Sequence, residues 1–258
     1  MQDVVMVLMV APGGLFLGSL LFLELGRRIG ARRMAADPDG ARAGIGAVEG
    51  AVFGLLGLMI AFTFSGAASR FESRRQLITQ EANAIGTAWL RIAPLPAEAQ
   101  PALRELFRRY VDSRIETYRR VPDMVAVKAE LDRSVALQGE IWAAAVAGVQ
   151  SAPSPATAPL LPALNEMIDI TTTRLVATQS HPPAVIFAML MALTLAGALL
   201  AGYGMAQGRT RSWLHMIGFA LTMSIAVYVI LDLEYPRLGL IRIDKADQLL
   251  VDVRQSLK

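Results

Sequence analysis

Four apolar stretches, residues 4–25, 45–64, 183–206 and 213–231, are each long enough to cross a bilayer, whose hydrocarbon core takes about 20 residues of helix. A backbone inside hydrocarbon must satisfy its own N–H and C=O groups, so such segments fold as helices or as closed barrels. These four are too long and too uniformly apolar for barrel strands. The composition agrees: 54% of the 258 residues are hydrophobic and 18% charged, with mean hydropathy +0.44, too apolar and too charge-poor for an ordinary soluble domain. No Lys or Arg precedes the first stretch, and it is longer than the usual core of a secretory signal. It is therefore expected to stay as a first span.

Charge is concentrated between the second and third stretches, where residues 66–182 hold 13 Lys+Arg and 12 Asp+Glu. This part is expected to face water, and its apolar residues recur at helical spacing: Leu103, Leu106, Phe107, Tyr110 and Val111, then Leu131, Val135, Ile141 and Trp142. Pro94 and Pro96 close one helix, Pro122 and Asp123 open another, and SAPSPATAP at 151–159 is a loop, because Pro stops both helix and strand. A further helix spans about 161–178, and Leu249, Leu250, Val253 and Leu257 form a helical tail expected to dock on the soluble helices. No segment alternates with period two. The expected fold class is an all-α membrane protein of four transmembrane helices: 1–65 holds the first two, 66–182 a helical soluble insert, 183–232 the last two, and 233–258 the tail.

Several chemistries are excluded early. The chain has no Cys, so disulfides and thiolate sites are absent, and the two His, His181 and His215, lie far apart, so no metal site or other cofactor is expected. A formal charge of +3 is too small and scattered for a nucleic-acid partner. There is no phosphate-binding loop, nucleophile elbow or paired acid of catalytic spacing, so no enzyme is expected. Asp169 with Thr171, Thr172 and Thr173 is a polar helix patch, and Trp89 and Trp142 are packing anchors.

Arg27, Arg28, Arg32, Arg33 and Arg42 crowd the connection after the first span, and Arg209 and Arg211 the short one between the third and fourth. Cytoplasmic loops carry the excess of Lys and Arg, so both connections are expected inside and the insert and both termini outside. Arg70, Arg74 and Arg75, with Arg237, Arg242 and Lys245, pull the other way.

The second span is the informative one. Gly46, Gly50 and Gly54 recur every four residues, followed by Leu58, Phe62 and Gly66. Glycine lets helices approach closely in lipid, so Gly46, Gly50 and Gly57 are candidates for subunit packing, while Gly54, Leu58 and Phe62 fit the inner edge of a pore. Both uses remain open from spacing alone. Glu49 lies about one turn inside the span, where an ionisable group is costly unless it pairs or meets water. It is either a carboxylate ring at a pore mouth or an interfacial partner of Arg42. Beyond Phe64, Arg70, Arg74 and Arg75 outnumber Glu72 and would concentrate anions in a ring of subunits; they equally suit a salt-bridged solvent face. In EANAIGTAWLR, small residues suggest tight packing, and Glu81 and Asn83 are its polar members.

The stretches GLLGLMIAFTFSGAASRFESRR, EANAIGTAWLR and LDLEYPRLGLIRID together resemble the bacterial bestrophin-like membrane family, a four-span group with a helical insert. More distantly the chain is similar to true bestrophins, homopentameric chloride channels whose second span lines a hydrophobic neck and ends in an Arg at the mouth. On that pattern Gly54, Leu58 and Phe62 match the neck, and Arg70 the Arg after it. The acidic calcium clasp of animal bestrophins has no counterpart beyond Asp232 and Glu234, so calcium gating is not implied. True bestrophins keep this domain in the cytosol, opposite to the side that the Arg bias favours here.

The resemblance implies a homo-oligomeric, pentameric channel in the bacterial inner membrane. Its partners would be its own copies, the lipid bilayer and small inorganic ions, chloride first. The mouth residues would be Glu49, Arg70 and Arg74. Two alternatives are a cation channel using Glu49 and a non-conducting membrane-anchored sensor that binds a partner through its helical domain.

Overall fold

The computed structural model describes residues 2–37, 45–206, 208 and 211–258. Those residues form eight helices and no strand: α1 (Gln2–Ala36), α2 (Ile45–Leu90), α3 (Gln100–Arg119), α4 (Met124–Ser151), α5 (Leu160–Gln179), α6 (Ala184–Met205), α7 (Trp213–Glu234) and α8 (Asp244–Ser256). Four segments are long and apolar enough to cross a membrane. The helices divide into a membrane unit, residues 2–69 and 181–235, and a helical unit, residues 70–180 and 236–258.

Helix α2 carries the second span and is the longest helix among the described residues. No Pro or helix-stopping cluster lies between Ile45 and Leu90, and Gly66 alone costs only about 1 kcal/mol. The span therefore runs on unbroken for 46 residues, about 69 Å at 1.5 Å per residue.

In the membrane unit, α1 packs along α6 and α7. The α1–α6 contact depends on glycines that the sequence did not single out. A methyl built on Gly202 of α6 would land on the Leu23 carbonyl of α1 and 2.8 Å from its Cα; one on Gly26 would land on the Leu199 carbonyl and 2.9 Å from the Tyr203 nitrogen. Gly30 meets Tyr203 in the same way. Backbone here touches backbone, the close approach that small residues permit in lipid. Leu23, Ala198 and Met216 are buried at the centre of this contact. Thr194, also buried, returns its hydroxyl to the Leu190 carbonyl at 2.8 Å.

In the helical unit, Ile85 and Trp89 of α2, Leu103 and Phe107 of α3, Leu137 and Ile141 of α4, and Leu164 and Met167 of α5 close a single core. Leu250 of α8 and Leu257 belong to the same core. Arg254 pairs with Asp112 at 2.7 Å, and Arg108 donates to the Leu257 carbonyl at 3.0 Å. Helix α4 starts at Asp123, whose carboxylate accepts the Val125 and Ala126 amides at 3.1 Å. That is the capping a short acidic side chain supplies to orphan amides.

Candidate functional site

The membrane half of α2 is packed on one side only. Glu49, Phe53 and Leu56, three and four residues apart, share a face. Leu56 is buried, Phe53 meets Phe219 edge-on at 6.2 Å, and Phe53 and Leu56 together cover Gly197 of α6. Only 6% of the apolar window of α2 is buried, against 33% in α7. The opposite side carries Gly54, Leu58 and Phe62. Leu58 is 51% and Phe62 67% exposed. Nothing lies within 4 Å of a Cβ built on Gly46, Gly50, Gly54 or Gly57, so these glycines serve no packing among the described residues of the protomer.

Helical geometry sharpens the division. At 100° per residue, Leu58, Ser65 and Ser69 fall within about 20° of one line along the membrane half of α2, with Gly54 and Phe62 about 40° to either side. All five are exposed. Glu49 lies about 180° from Leu58, with its Oε1 buried against Gly204 and without a hydrogen-bond partner among the described residues. The structure therefore does not bring Glu49 together with Gly54, Leu58 and Phe62. Arg42, its expected partner, lies outside the described residues.

The arginines after the span also leave this edge. Arg74 is 6% exposed, and donates from Nε to the Ala177 carbonyl and from Nη2 to the Ser180 carbonyl, both at 3.0 Å. It satisfies carbonyls at the end of α5 that lack an intrahelical donor. Four residues earlier, Arg70 is half-buried and about 120° from the Leu58 line. Arg75 remains on the surface, paired with Glu72 at 2.9 Å. At the other end of the membrane unit, Glu24 holds Arg27, Arg28 and Arg211 at 3.0, 2.8 and 2.7 Å.

Deeper in the helical unit is a charged network that the sequence only touched. Glu81, fully buried, accepts from Arg114 Nε at 2.6 Å and from Arg174 Nη1. Arg114 also donates to the Tyr118 hydroxyl at 2.8 Å, and the Tyr118 ring faces Arg174 and Arg237 at 4.0 and 4.7 Å. Arg237 pairs in turn with Asp247 of α8. Burial by itself raises the Glu81 pKa, but Arg114 and Arg174 outweigh it and hold the carboxyl below its ordinary value. Arg114, Arg174 and Asp247 were invisible in sequence, since nothing local marks partners 33 and 93 residues from Glu81. The remaining polar residues have local uses. Asn83 is exposed, Thr171 bridges the Ile168 carbonyl and Gln138, and Trp89 packs on Phe107 at 6.1 Å. No group of acids or His suited to a metal occurs among the described residues.

Against known proteins, the chain matches the Bestrophin-like domain over residues 13–248. No curated protein matches it. Among solved structures it is similar to a bacterial bestrophin homolog from Klebsiella pneumoniae, crystallised as two point mutants. The Trp-to-Ala form aligns at TM-score 0.67 and 13% identity, covering 93% of this chain and 97% of that one. The Tyr-to-Ala form aligns at 0.64 and 14%, covering 92% and 98%. The fold is thus shared from end to end where little sequence is, and with the domain match spanning most of its length the chain belongs to the bestrophin-like family.

Proposed function

We propose that this chain is the subunit of a homo-oligomeric channel, a pentamer on the pattern of the family, in the bacterial inner membrane. Its pore is lined by α2 and is permeable to anions, with a hydrophobic neck at Gly54, Leu58 and Phe62. One observation carries the reading: the edge of α2 bearing these residues is bare in the protomer, opposite the face that packs on α6 and α7. A single copy of four apolar helices has no polar path through it. A ring of copies, each turning this edge inward, has one, narrowed by Leu58 and Phe62 so that water leaves it readily. Gly46, Gly50 and Gly57 then let neighbouring copies approach.

The position of Glu49 favours anions over cations. Its carboxylate sits on the α6 side, behind the helix as seen from the neck, so it forms no acidic ring there. The neck edge instead continues into the hydroxyls of Ser65 and Ser69, which can donate to an anion. The arginines Arg27, Arg28 and Arg211, gathered on Glu24, support a cytoplasmic position for that end of the bundle by the excess of basic residues that cytoplasmic loops carry.

Reversal potentials in asymmetric potassium chloride test the sign of the ion. Glu49→Gln is expected to leave the chloride preference unchanged. A shift of selectivity from potassium to chloride on that substitution would instead place Glu49 at a cation filter. A protein that is strictly monomeric in both detergent and lipid would overturn the channel altogether.

A second reading, a non-conducting membrane-anchored sensor, has one observation in its favour. A cavity of about 290 Å³ opens beside Tyr118, Arg119, Arg237, Arg242 and Asp247 in the helical unit. An intact oligomer that passes no ion in any salt would support it over the channel.

A further inference from the structure

The cavity of the helical unit lies between the end of α3 and the opening turns of α8, and its walls are of two kinds. Ile115 and Val121 from the α3 end and Leu250 and Val251 from α8 are apolar, while Arg119, Arg237 and Arg242 bring guanidinium groups to it. Two carboxylates also line it, and both are engaged. Asp247 accepts from both terminal nitrogens of Arg237, at 2.5 and 3.1 Å, and lies 3.5 Å from Arg174. Asp244 pairs with Arg242 Nε at 2.6 Å.

The charge behind this wall does not balance. Arg237 is joined through Asp247 to Arg174, and Arg174 through Glu81 to Arg114. Three guanidiniums thus meet two carboxylates, and none of the five side chains is more than 20% exposed. Tyr118 faces Arg114, Arg174 and Arg237 but does not provide the missing negative charge. Burial pushes its hydroxyl above the ordinary value and keeps it protonated. Among the described residues one positive charge is therefore left over, where water screens it poorly, and a charge so placed is costly until it is paired. The cavity is the opening beside it. The outer guanidiniums are held only by surface pairs, Arg119 with Glu116 at 3.2 Å and Arg242 with Asp244. Such pairs contribute little, so both arginines can turn to a bound anion.

We propose that this cavity is a binding site for a small organic anion that carries one carboxylate on a short apolar body. Its single negative charge matches the one positive charge left over. A guanidinium presents two N–H groups in the fork that a carboxylate accepts. Ile115, Val121, Leu250 and Val251 give the body a surface away from water. At about 290 Å³ the cavity stands at the lower limit of small-molecule pockets, which suits a body of a few carbons and leaves a bare halide without contacts on most sides. The site belongs to the helical unit alone and stands whether or not the chain conducts.

Equilibrium dialysis of radiolabelled butyrate against the purified full-length protein tests this. One molecule is expected to bind per chain, with acetate competing about tenfold more weakly, the effect of two buried methylenes. Arg119→Gln and Arg242→Gln each remove an exposed guanidinium. Each is expected to weaken butyrate binding about tenfold, the loss of one charge-assisted hydrogen bond, without changing the Tm of the unliganded protein. Arg237→Gln would also take a partner from Asp247, so the two exposed positions carry the test. No saturable butyrate binding, or binding undiminished in both variants, would overturn the proposal. So would competition by butylamine, phosphate or chloride equal to that of unlabelled butyrate, because the site would then not distinguish a carboxylate with an apolar body from other ions.

Discussion

Gly202→Ala is expected to destabilise the membrane unit strongly, although it adds one methyl. The new carbon would sit on the Leu23 carbonyl and 2.8 Å from its Cα. Backbone atoms of a helix cannot swing aside as a side chain does. Separation of α1 and α6 is the only relief, and it withdraws Leu23, Ala198 and Met216 from contact. Overpacking of a core costs about 1–3 kcal/mol and occasionally more; with backbone on the other side the upper end applies. About 3 kcal/mol corresponds to a hundredfold or greater loss in the ratio of folded to unfolded protein. Gly26→Ala meets the Leu199 carbonyl and should behave alike. Gly50→Ala, with nothing within 4 Å, leaves the protomer unaffected. The yield of monodisperse protein after detergent extraction separates these variants, and a wild-type yield for Gly202→Ala would disprove the close helix contact.

The helical unit has its own weak point at Glu81. Replacing this carboxylate by the amide of Glu81→Gln leaves Arg114 and Arg174 buried beside a neutral group. Breaking one partner out of a buried ion cluster costs about 3–5 kcal/mol, because the remaining charge is uncompensated. For a protein of this size that is a fall of about 10 °C in Tm. The pH dependence follows from the lowered pKa of Glu81. Its ionised form is favoured by the fold, so the stabilisation is complete above the ordinary carboxyl value of 4.5 and is lost only as pH falls through the lower folded value. The gap in Tm between wild type and Glu81→Gln should therefore be constant from neutral pH down to that ordinary value and close in stronger acid. A gap that narrows on the alkaline side of it would contradict the ion pairing.

These two sites show where sequence is informative and where it stops. The four apolar stretches, the start of α4 at Asp123 and the loop at 151–159 follow from local chemistry; the last two stretches, the start and the loop lie within a few residues of their expected places, while α1 and α2 run on past theirs to Ala36 and Leu90. The glycines were harder. Both α1 and α2 carry glycines four apart, Gly26 with Gly30 and Gly46 with Gly50 and Gly54. Spacing tells which residues share a face, not which face meets another helix. In the structure the row on α1 is the tight contact, and the longer row on α2 is bare. Arg74 is a related case. Next to Arg70 and Arg75 it reads as part of a basic run, yet helical rotation turns it to the α5 end. The Glu81 network was illegible beyond Glu81 itself, since its arginines come from two other helices.

The most direct measurement is chloride and potassium flux into liposomes that contain the purified full-length protein, wild type beside Phe62→Ala. Removing a ring of aromatic side chains from a dewetting constriction widens it and lowers the cost of hydrating it. Wild type should pass chloride in preference to potassium, and Phe62→Ala should raise that flux by about tenfold. An intact oligomer in which neither protein passes either ion would contradict a pore along the exposed edge of α2.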